Sequence, residues 1–302
     1  MENVIIIGSG PAGYTAALYA ARAGLEPLML SGQKIGGQLT DTNDVENYPG
    51  YREPVTGPQM MDDFKYQAEK YGTRIEEVYV EEVGLEQSPY RIVDHRGNEY
   101  LTKTVIISTG AETKWLNIPS ETKFRGSGVS SCATCDGFFF KNQDVVVVGG
   151  GDSAAEEALY LSNICNSVTI LVRKNQMKAS KIMQDRLHRN SKIDIRYETS
   201  IDEIVGDDNG VMGVRTNQGE TISCMGVFVA IGHLPATQLF KSHITTDSEG
   251  YITTTGKSTE TNLLGVFACG DVQDKKYRQA ITAAGSGCMA ALDAERFIQN
   301  SN

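Results

Sequence analysis

Short runs of consecutive apolar residues, each ending in a glycine-bearing turn, set the pattern of this 302-residue chain. The first run, Val4-Ile5-Ile6-Ile7, carries no polar residue, as expected of a parallel strand buried on both faces. Gly8-Ser9-Gly10-Pro11-Ala12-Gly13 follows, and the alanine-rich residues 14–23 predict a helix that Gly24 ends. Pro27-Leu28-Met29-Leu30 reads as the next strand, so the unit is strand, glycine turn, helix, strand. The same order returns at Val145-Val146-Val147-Val148. There the turn is Gly149-Gly150-Gly151-Asp152-Ser153-Ala154, the helix spans residues 155–162 and the strand residues 168–172. The two turns lie too far apart for a solenoid repeat, and two separate nucleotide-binding domains fit better. Further apolar runs enter turns at Ser108-Thr109-Gly110, Ile231-Gly232-His233 and Cys269-Gly270-Asp271, and residues 280–298 predict a closing helix.

The polar, proline-bearing stretches near Asn117-Ile118-Pro119 and Pro235-Ala236-Thr237 are the natural boundaries. They make the central domain an insertion. The expected fold is α/β, with two Rossmann-like, three-layer dinucleotide-binding domains, the second inserted into the first. Residues 1–116 and 236–302 form one domain and residues 117–235 the other.

Glycine has physical work at such turns. The first position permits the tight turn, the second lets a pyrophosphate approach the backbone, and the third lets helix and strand pack closely. Free N–H groups and the positive end of the helix dipole then meet the phosphates. An acid at the end of the following strand would favour NAD. The second unit instead holds Arg173-Lys174, with Lys178 and Lys181 close by, and cations there favour the 2′-phosphate of NADP. In the first unit the matching position is Ser31, which leaves the ribose contact there open.

Charge and cysteine usage narrow the class. The formal charge of −10 argues against general binding to nucleic acid or anionic membranes. No apolar stretch reaches the length of a membrane span. The chain enters its first apolar run directly after Met1-Glu2-Asn3, and six cysteines are too few for a secreted disulfide scaffold, so a cytoplasmic location is expected. Cys165, Cys224, Cys269 and Cys288 are isolated and expected to be inert core thiols. Cys132 and Cys135 form a C-x-x-C pair, followed at once by Asp136. Zinc would need two more ligands, and neither the other cysteines nor His95, His188, His233 and His243 show ligand spacing. A tunable dithiol that exchanges with another disulfide is the better reading. Asp136 can move the protons such exchange needs, or can serve as a turn or helix cap. Nicotinamides deliver hydrides while disulfides take two electrons and two protons. A flavin bridges the two, so one glycine turn is expected to hold FAD.

Several stretches, taken together, resemble the low-molecular-weight thioredoxin reductases. They are Gly8 through Ala17, Gly36-Gly37-Gln38-Leu39, Val45-Glu46-Asn47-Tyr48-Pro49-Gly50 and Cys132-Ala133-Thr134-Cys135-Asp136-Gly137-Phe138-Phe139. Ala230-Ile231-Gly232-His233, Gly270-Asp271-Val272 and Tyr277 through Gly285 complete the set, in consistent order over the whole chain. The resemblance implies a homodimeric flavoprotein that passes electrons from NADPH through FAD to a dithiol and on to thioredoxin. It implies that Cys135 meets the flavin, that Cys132 attacks the thioredoxin disulfide, and that Asp136 acts as acid and base. It implies FAD contacts from Gly8, Ser9, Gly10, Pro11, Ala12, Gly13, Ser31, Gly32, Gly36, Gly37, Gln38, Asn47, Thr109, Gly110, Gly270, Asp271, Arg278, Gln279 and Ala280. NADPH would fall to Gly149, Gly151, Asp152, Ser153, Ala154, Arg173, Lys174, Lys178, Ile231 and Gly232. Domain rotation during turnover would hinge near residues 115–119 and 232–235. One departure stands out. Family members often carry His-Arg-Arg and a later arginine around the 2′-phosphate, where this chain has Val172-Arg173-Lys174 and Lys178. Lysine is a point charge where arginine offers a planar fork. Alternatives are a related flavoprotein with a glutaredoxin-like or peroxiredoxin-type partner, or one with ferredoxin as donor. A ferredoxin–NADP reductase and a flavin-bound redox sensor are the remaining readings, which the dithiol and the basic cluster respectively disfavour.

Overall fold

Val4 to Ile7 are buried on both faces because β1 (Glu2–Ile7) has parallel neighbours at both edges. In this computed structural model, which describes residues 1–42 and 44–301, the chain divides into two units. Unit one comprises Met1–Glu112 and the chain from Leu234; unit two is Thr113–His233.

In unit one, β1 pairs with β2 (Leu28–Leu30) and β6 (Glu99–Ile107), and β3 (Arg74–Glu76) extends the sheet beyond β2. Along its other edge β6 pairs first with the hairpin β4 (Val80–Gly84) and β5 (Tyr90–Asp94), then with β17 (Val266–Ala268). Alternation along β1 sends side chains to opposite faces. Val4 and Ile6 pack with helices α1 (Pro11–Arg22), α2 (Gly57–Lys70) and α7 (Ala280–Ser301). Ile5 and Ile7 join Leu28, Leu30, Phe240, Ile244 and Ile252 on the far side. Helices α1 and α7 approach closely because alanines face each other and Gly287 has no side chain. A Cβ on Gly287 would stand 2.1 Å from the Ala12 carbonyl oxygen.

Unit two carries a five-stranded parallel sheet in the order β11 (Ile193–Tyr197), β10 (Ser167–Val172), β9 (Asp144–Val148), β15 (Gly226–Val229), β8 (Val129–Ser130). Val145 and Val147 face α4 (Ala133–Asp136), α5 (Asp152–Ser162) and α6 (Lys181–Arg189). Val146 and Val148 face an antiparallel meander, β12 (Ile201–Asp207), β13 (Gly210–Thr216) and β14 (Thr221–Ser223), with α3 (Pro119–Phe124). This makes three layers. The chain crosses between units along β7 (Ala111–Thr113) and β16 (His233–Pro235), which pair as a two-stranded ribbon.

Two expectations shift. Helices α1 and α5 begin at Pro11 and Asp152, three residues earlier than the apolar pattern suggests. Proline at the first helical position has its φ already set and lacks an N–H that would be unpaired anyway, while an acid there meets the helix dipole. The closing helix runs on to Ser301.

Candidate active site

In unit one the glycine turn lies at the carboxyl end of the parallel strands. Gly8 has φ +108°, and a Cβ on it would meet the Ser108 carbonyl oxygen at 2.5 Å. A Cβ on Gly13 would lie 2.0 Å from the Gly8 carbonyl oxygen, so the third glycine lets helix meet strand. Gly10 is different. Its φ of −71° suits any residue, and among the described residues no atom lies within 4 Å of where its Cβ would stand. The chain itself does not require glycine there. A pyrophosphate drawn to the α1 N-terminus does, and this fits the expected dinucleotide.

Polar bonds gather the other expected residues around this turn. Ser9 is buried; its hydroxyl donates to the Ser31 carbonyl (2.8 Å) and accepts from Gly36 N–H (3.0 Å). Gly32 N–H donates to Val78 C=O, and Gly37 lies close enough that its Cβ would meet Gly10 Cα at 3.2 Å. Gln38 Nε2 donates to the Ala111 carbonyl. Thr109 donates to the Ala236 carbonyl at 2.8 Å, and Gly110 takes φ +73°. Asn47 Nδ2 donates to Gln279 Oε1 at 3.4 Å, joining the segment before α2 to the start of α7. Gly270 N–H donates to Ser286 Oγ, placing Asp271 beside the α1 N-terminus, where a Cβ on Gly270 would touch Ala12 Cβ at 2.8 Å. Burial pushes the Asp271 carboxyl up to about 7, with Asp274 adding to the rise and Arg278 opposing it. Arg278 has φ +45° and donates to the Lys275 carbonyl, and Ala280 begins α7.

In unit two the second turn repeats the logic. A Cβ on Gly149 would meet the Ala230 carbonyl oxygen at 2.4 Å and Ala154 Cβ at 2.8 Å. Gly151, like Gly10, faces open space among the described residues and has an ordinary φ of −96°. Asp152 and Ser153 open α5, and Ala154, in its first turn, is buried. Arg173, Lys174 and Lys178 lie exposed on the segment after β10, while Ile231 and Gly232 follow β15. The donor set suits a nucleotide with an additional phosphate.

Cys132 and Cys135 are joined as a disulfide, S–S 2.08 Å and Cα–Cα 5.3 Å. A single helical turn makes this possible. Cys132 caps α4, its carbonyl accepting from Cys135 N–H (3.2 Å) and Asp136 N–H (3.1 Å). Ala133 anchors the turn in the core, and Gly137 permits close packing on α5, since its Cβ would meet Leu161 at 3.0 Å. Cys135 is exposed and Cys132 half-buried. The Thr134 hydroxyl lies 3.4 Å from Cys132 Sγ. Burial raises the Asp136 carboxyl above the ordinary carboxylate range, with a hydrogen bond from Ser130 acting against the rise. Ser130 Oγ also accepts from Cys132 N–H at 3.0 Å. The remaining buried thiols differ in kind: burial pushes Cys165 up to about 11 and both Cys224 and Cys269 to about 12, which keeps them protonated.

The family signature of the pyridine nucleotide-disulphide oxidoreductases matches residues 2–287. The thioredoxin reductase of Rickettsia bellii is 55% identical over 98% of this chain and 98% of its own. Among solved structures, a thioredoxin reductase from Giardia duodenalis superposes with a TM-score of 0.95 at 38% identity, covering 98% of both chains. Another from Streptococcus pyogenes gives 0.93 at 39%, covering 99% of both. The chain belongs to the thioredoxin reductase family.

Membership in the wider family implies a flavin and a pyridine nucleotide. Against that background, three residues of this thioredoxin reductase family member escaped the sequence reading: Ser130, Ser286 and Ser180. Ser130 supports the dithiol turn, Ser286 holds Gly270, and Ser180 N–H donates to Asp152 Oδ1 at 2.8 Å. Each works through a hydrogen bond across the fold or at an irregular turn, which leaves no periodic trace. No helix among the described residues is long and apolar enough to cross a membrane.

Proposed function

We propose that the chain is an NADPH-dependent thioredoxin-disulfide reductase. Unit one takes FAD, unit two takes NADPH, and the electrons leave through Cys132 and Cys135. The observation that carries this reading is the Cys132–Cys135 disulfide, sited in the same unit as the second glycine turn and beside a carboxyl of raised pKa. FAD, when bound, supplies the conversion between hydride transfer and thiol chemistry.

The chain's own residues do the rest. Free backbone N–H groups at the N-termini of α1 and α5 bind phosphates, whereas those of Gly8 and Gly149 hold the turns to the Leu30 and Leu171 carbonyls. Asp271, Asn47 and the segment 278–280 close around the first nucleotide. Cys135, the more exposed of the pair, is assigned to the flavin, and Cys132 to the partner. Once the pair is reduced, the Cys132 thiolate attacks a sulfur of the thioredoxin disulfide. That disulfide breaks, a Cys132–thioredoxin disulfide forms, and one thioredoxin sulfur leaves as thiolate. Cys135 then attacks Cys132, restoring the internal disulfide and freeing the second thioredoxin sulfur. Asp136, whose burial favours the protonated form, donates the proton a leaving thiolate takes up. The balance is one NADPH and one proton consumed per thioredoxin disulfide converted to dithiol. A homodimer in the cytoplasm is part of the same reading.

The test is NADPH oxidation coupled to thioredoxin reduction by the purified protein, with NADH and reduced ferredoxin as alternative sole donors. NADPH is expected to support turnover and Cys132→Ser to abolish it. Turnover that survives Cys132→Ser, or that runs only on ferredoxin, overturns the proposal.

A further inference from the structure

The cations proposed for the 2′-phosphate ride on an exposed segment between β10 and α6. Among the described residues, Arg173, Lys174 and Lys178 have no carboxylate within ion-pair distance, whereas Lys181 pairs with Asp185 at 3.2 Å. Three flexible cations on a loose loop would spread their charge over many positions. Several bonds remove that freedom. The Gly150 carbonyl, within the glycine turn, accepts from Lys178 N–H (2.6 Å) and Ala179 N–H (3.0 Å). Asp152 Oδ1 accepts from Ser180 N–H at 2.8 Å. At the other end Lys174 C=O accepts from Glu198 N–H and Val172 C=O from Thr199 N–H. Met177 and Ala179 are buried in the core below.

Gln184 Nε2 donates to the Ala179 carbonyl at 2.7 Å from within α6, and the side chain that reaches the segment from the phosphate turn is that of Asp152. It is also an acid at the first position of a helix whose N-terminus is to receive phosphates. A negative charge there opposes an anionic ligand, so direct contact with the nucleotide is a poor use for it. Accepting the Ser180 N–H is a good one, because that bond needs only the oxygen. We infer that Asp152 is a specificity-determining positioning residue. Its carboxylate bolts segment 173–180 to the phosphate turn and so holds Arg173, Lys174 and Lys178 where a 2′-phosphate is recognised. The inference rests on the reading of unit two as an NADPH site.

Calorimetric titration of the flavin-loaded protein with adenosine 2′,5′-bisphosphate and with AMP reads the matter without turnover. The wild type is expected to bind the bisphosphate more tightly. In Asp152→Ala the ratio of the two affinities is expected to fall about tenfold, the worth of one hydrogen bond, while AMP affinity stays within about twofold. Asp152→Asn keeps the acceptor oxygen and discards the charge, so it is expected to retain the ratio. Asp152→Glu keeps the charge and displaces the oxygen, so it is expected to behave like alanine, and it carries the test should Asp152→Ala not fold. A wild type that discriminates, with the alanine or glutamate variant unchanged, overturns the inference alone. So does an asparagine variant that loses as much as alanine. A wild type that binds both probes alike overturns the NADPH reading, and the inference with it.

Discussion

The two glycines Gly10 and Gly13 stand three residues apart in one turn, yet alanine at each should fail in opposite ways. Gly13→Ala places a Cβ 2.0 Å from the Gly8 carbonyl oxygen and 2.8 Å from Ser108 Oγ. Neither can yield cheaply, since one is backbone and the other is bonded to the Ile7 and Gly8 carbonyls at 2.9 and 3.0 Å. Overpacking of this kind costs about 3 kcal/mol, offset by about 1 kcal/mol of helix propensity. The net of about 2 kcal/mol lowers Tm by about 4–8 °C for a unit of this size. Gly10→Ala meets nothing in the protein, and its φ of −71° and ψ of −175° are open to alanine. Flavin-free, that variant is expected to be as stable as wild type or up to about 1 kcal/mol better, because the unfolded chain loses freedom. Its cost appears only with FAD. A methyl group in the path of the pyrophosphate should weaken binding by about 1–3 kcal/mol, or about 5–150-fold. Thermal melts of the stripped proteins, followed by FAD titration using quenching of flavin fluorescence, separate the two effects. The assignment is wrong if Gly10→Ala destabilises the stripped protein as much as Gly13→Ala, or if it binds FAD unchanged.

Further expectations follow from groups elsewhere in the fold. Asp271 has a carboxyl raised to about 7 from an ordinary 3.8, so its folded state favours the protonated form. That contribution is full below about pH 4 and is lost as pH rises through 7, with a ceiling on the order of 4 kcal/mol. Stripped Asp271→Asn should therefore match wild type at pH 4 and exceed it at pH 8; an equal gap at both pH values refutes the assignment. Glu121 is fully buried and accepts from Leu116 N–H (2.8 Å), Asn117 N–H (2.9 Å) and Arg125 (3.2 Å). Glu121→Ala strands those donors and should cost about 3 kcal/mol in urea unfolding. It should also shift Trp115 emission, because the Arg125 guanidinium sits 3.9 Å over that ring; unchanged emission counts against the packing. Thiol titration of the native oxidised protein should leave Cys165, Cys224 and Cys269 unreacted, since burial keeps them protonated. Prior reduction should add two reactive thiols, and a gain that persists in Cys132→Ser/Cys135→Ser would exclude that pair as their source.

The strands and the turns between them were legible because their physical demands are severe. A strand between two parallel neighbours must be apolar on both faces, as at Val4–Ile7 and Val145–Val148, and a backbone folded onto a carbonyl must be glycine, as at Gly8 and Gly149. The meander β12–β14 was not legible. One of its faces is wet, so exposed Glu203 and Arg215 interrupt its pattern, even though glycines mark its turns at Asn209-Gly210 and Gln218-Gly219. Helix starts were displaced because the glycine turns overlap the first helical turns: Ala12 and Ala154 already lie in the core, and Pro11 and Asp152 open the two helices.

At the candidate site the same division holds between what one residue demands and what a pair demands. The dithiol, the turns and the cations could be found because each is a local pattern. The Ser9–Ser31–Gly36 bonds and the Asp152–Ser180 bond join positions more than twenty residues apart, and neither partner signals the other. The third position of the glycine fingerprint makes the distinction sharpest. In unit one that position must be glycine because its Cβ would fall on the Gly8 carbonyl. In unit two Ala154 keeps its methyl, and the space is found instead at Gly149, whose own Cβ would collide with it at 2.8 Å. The third position therefore reports how closely helix and strand approach, while the second, open at both Gly10 and Gly151, is the one expected to report a nucleotide.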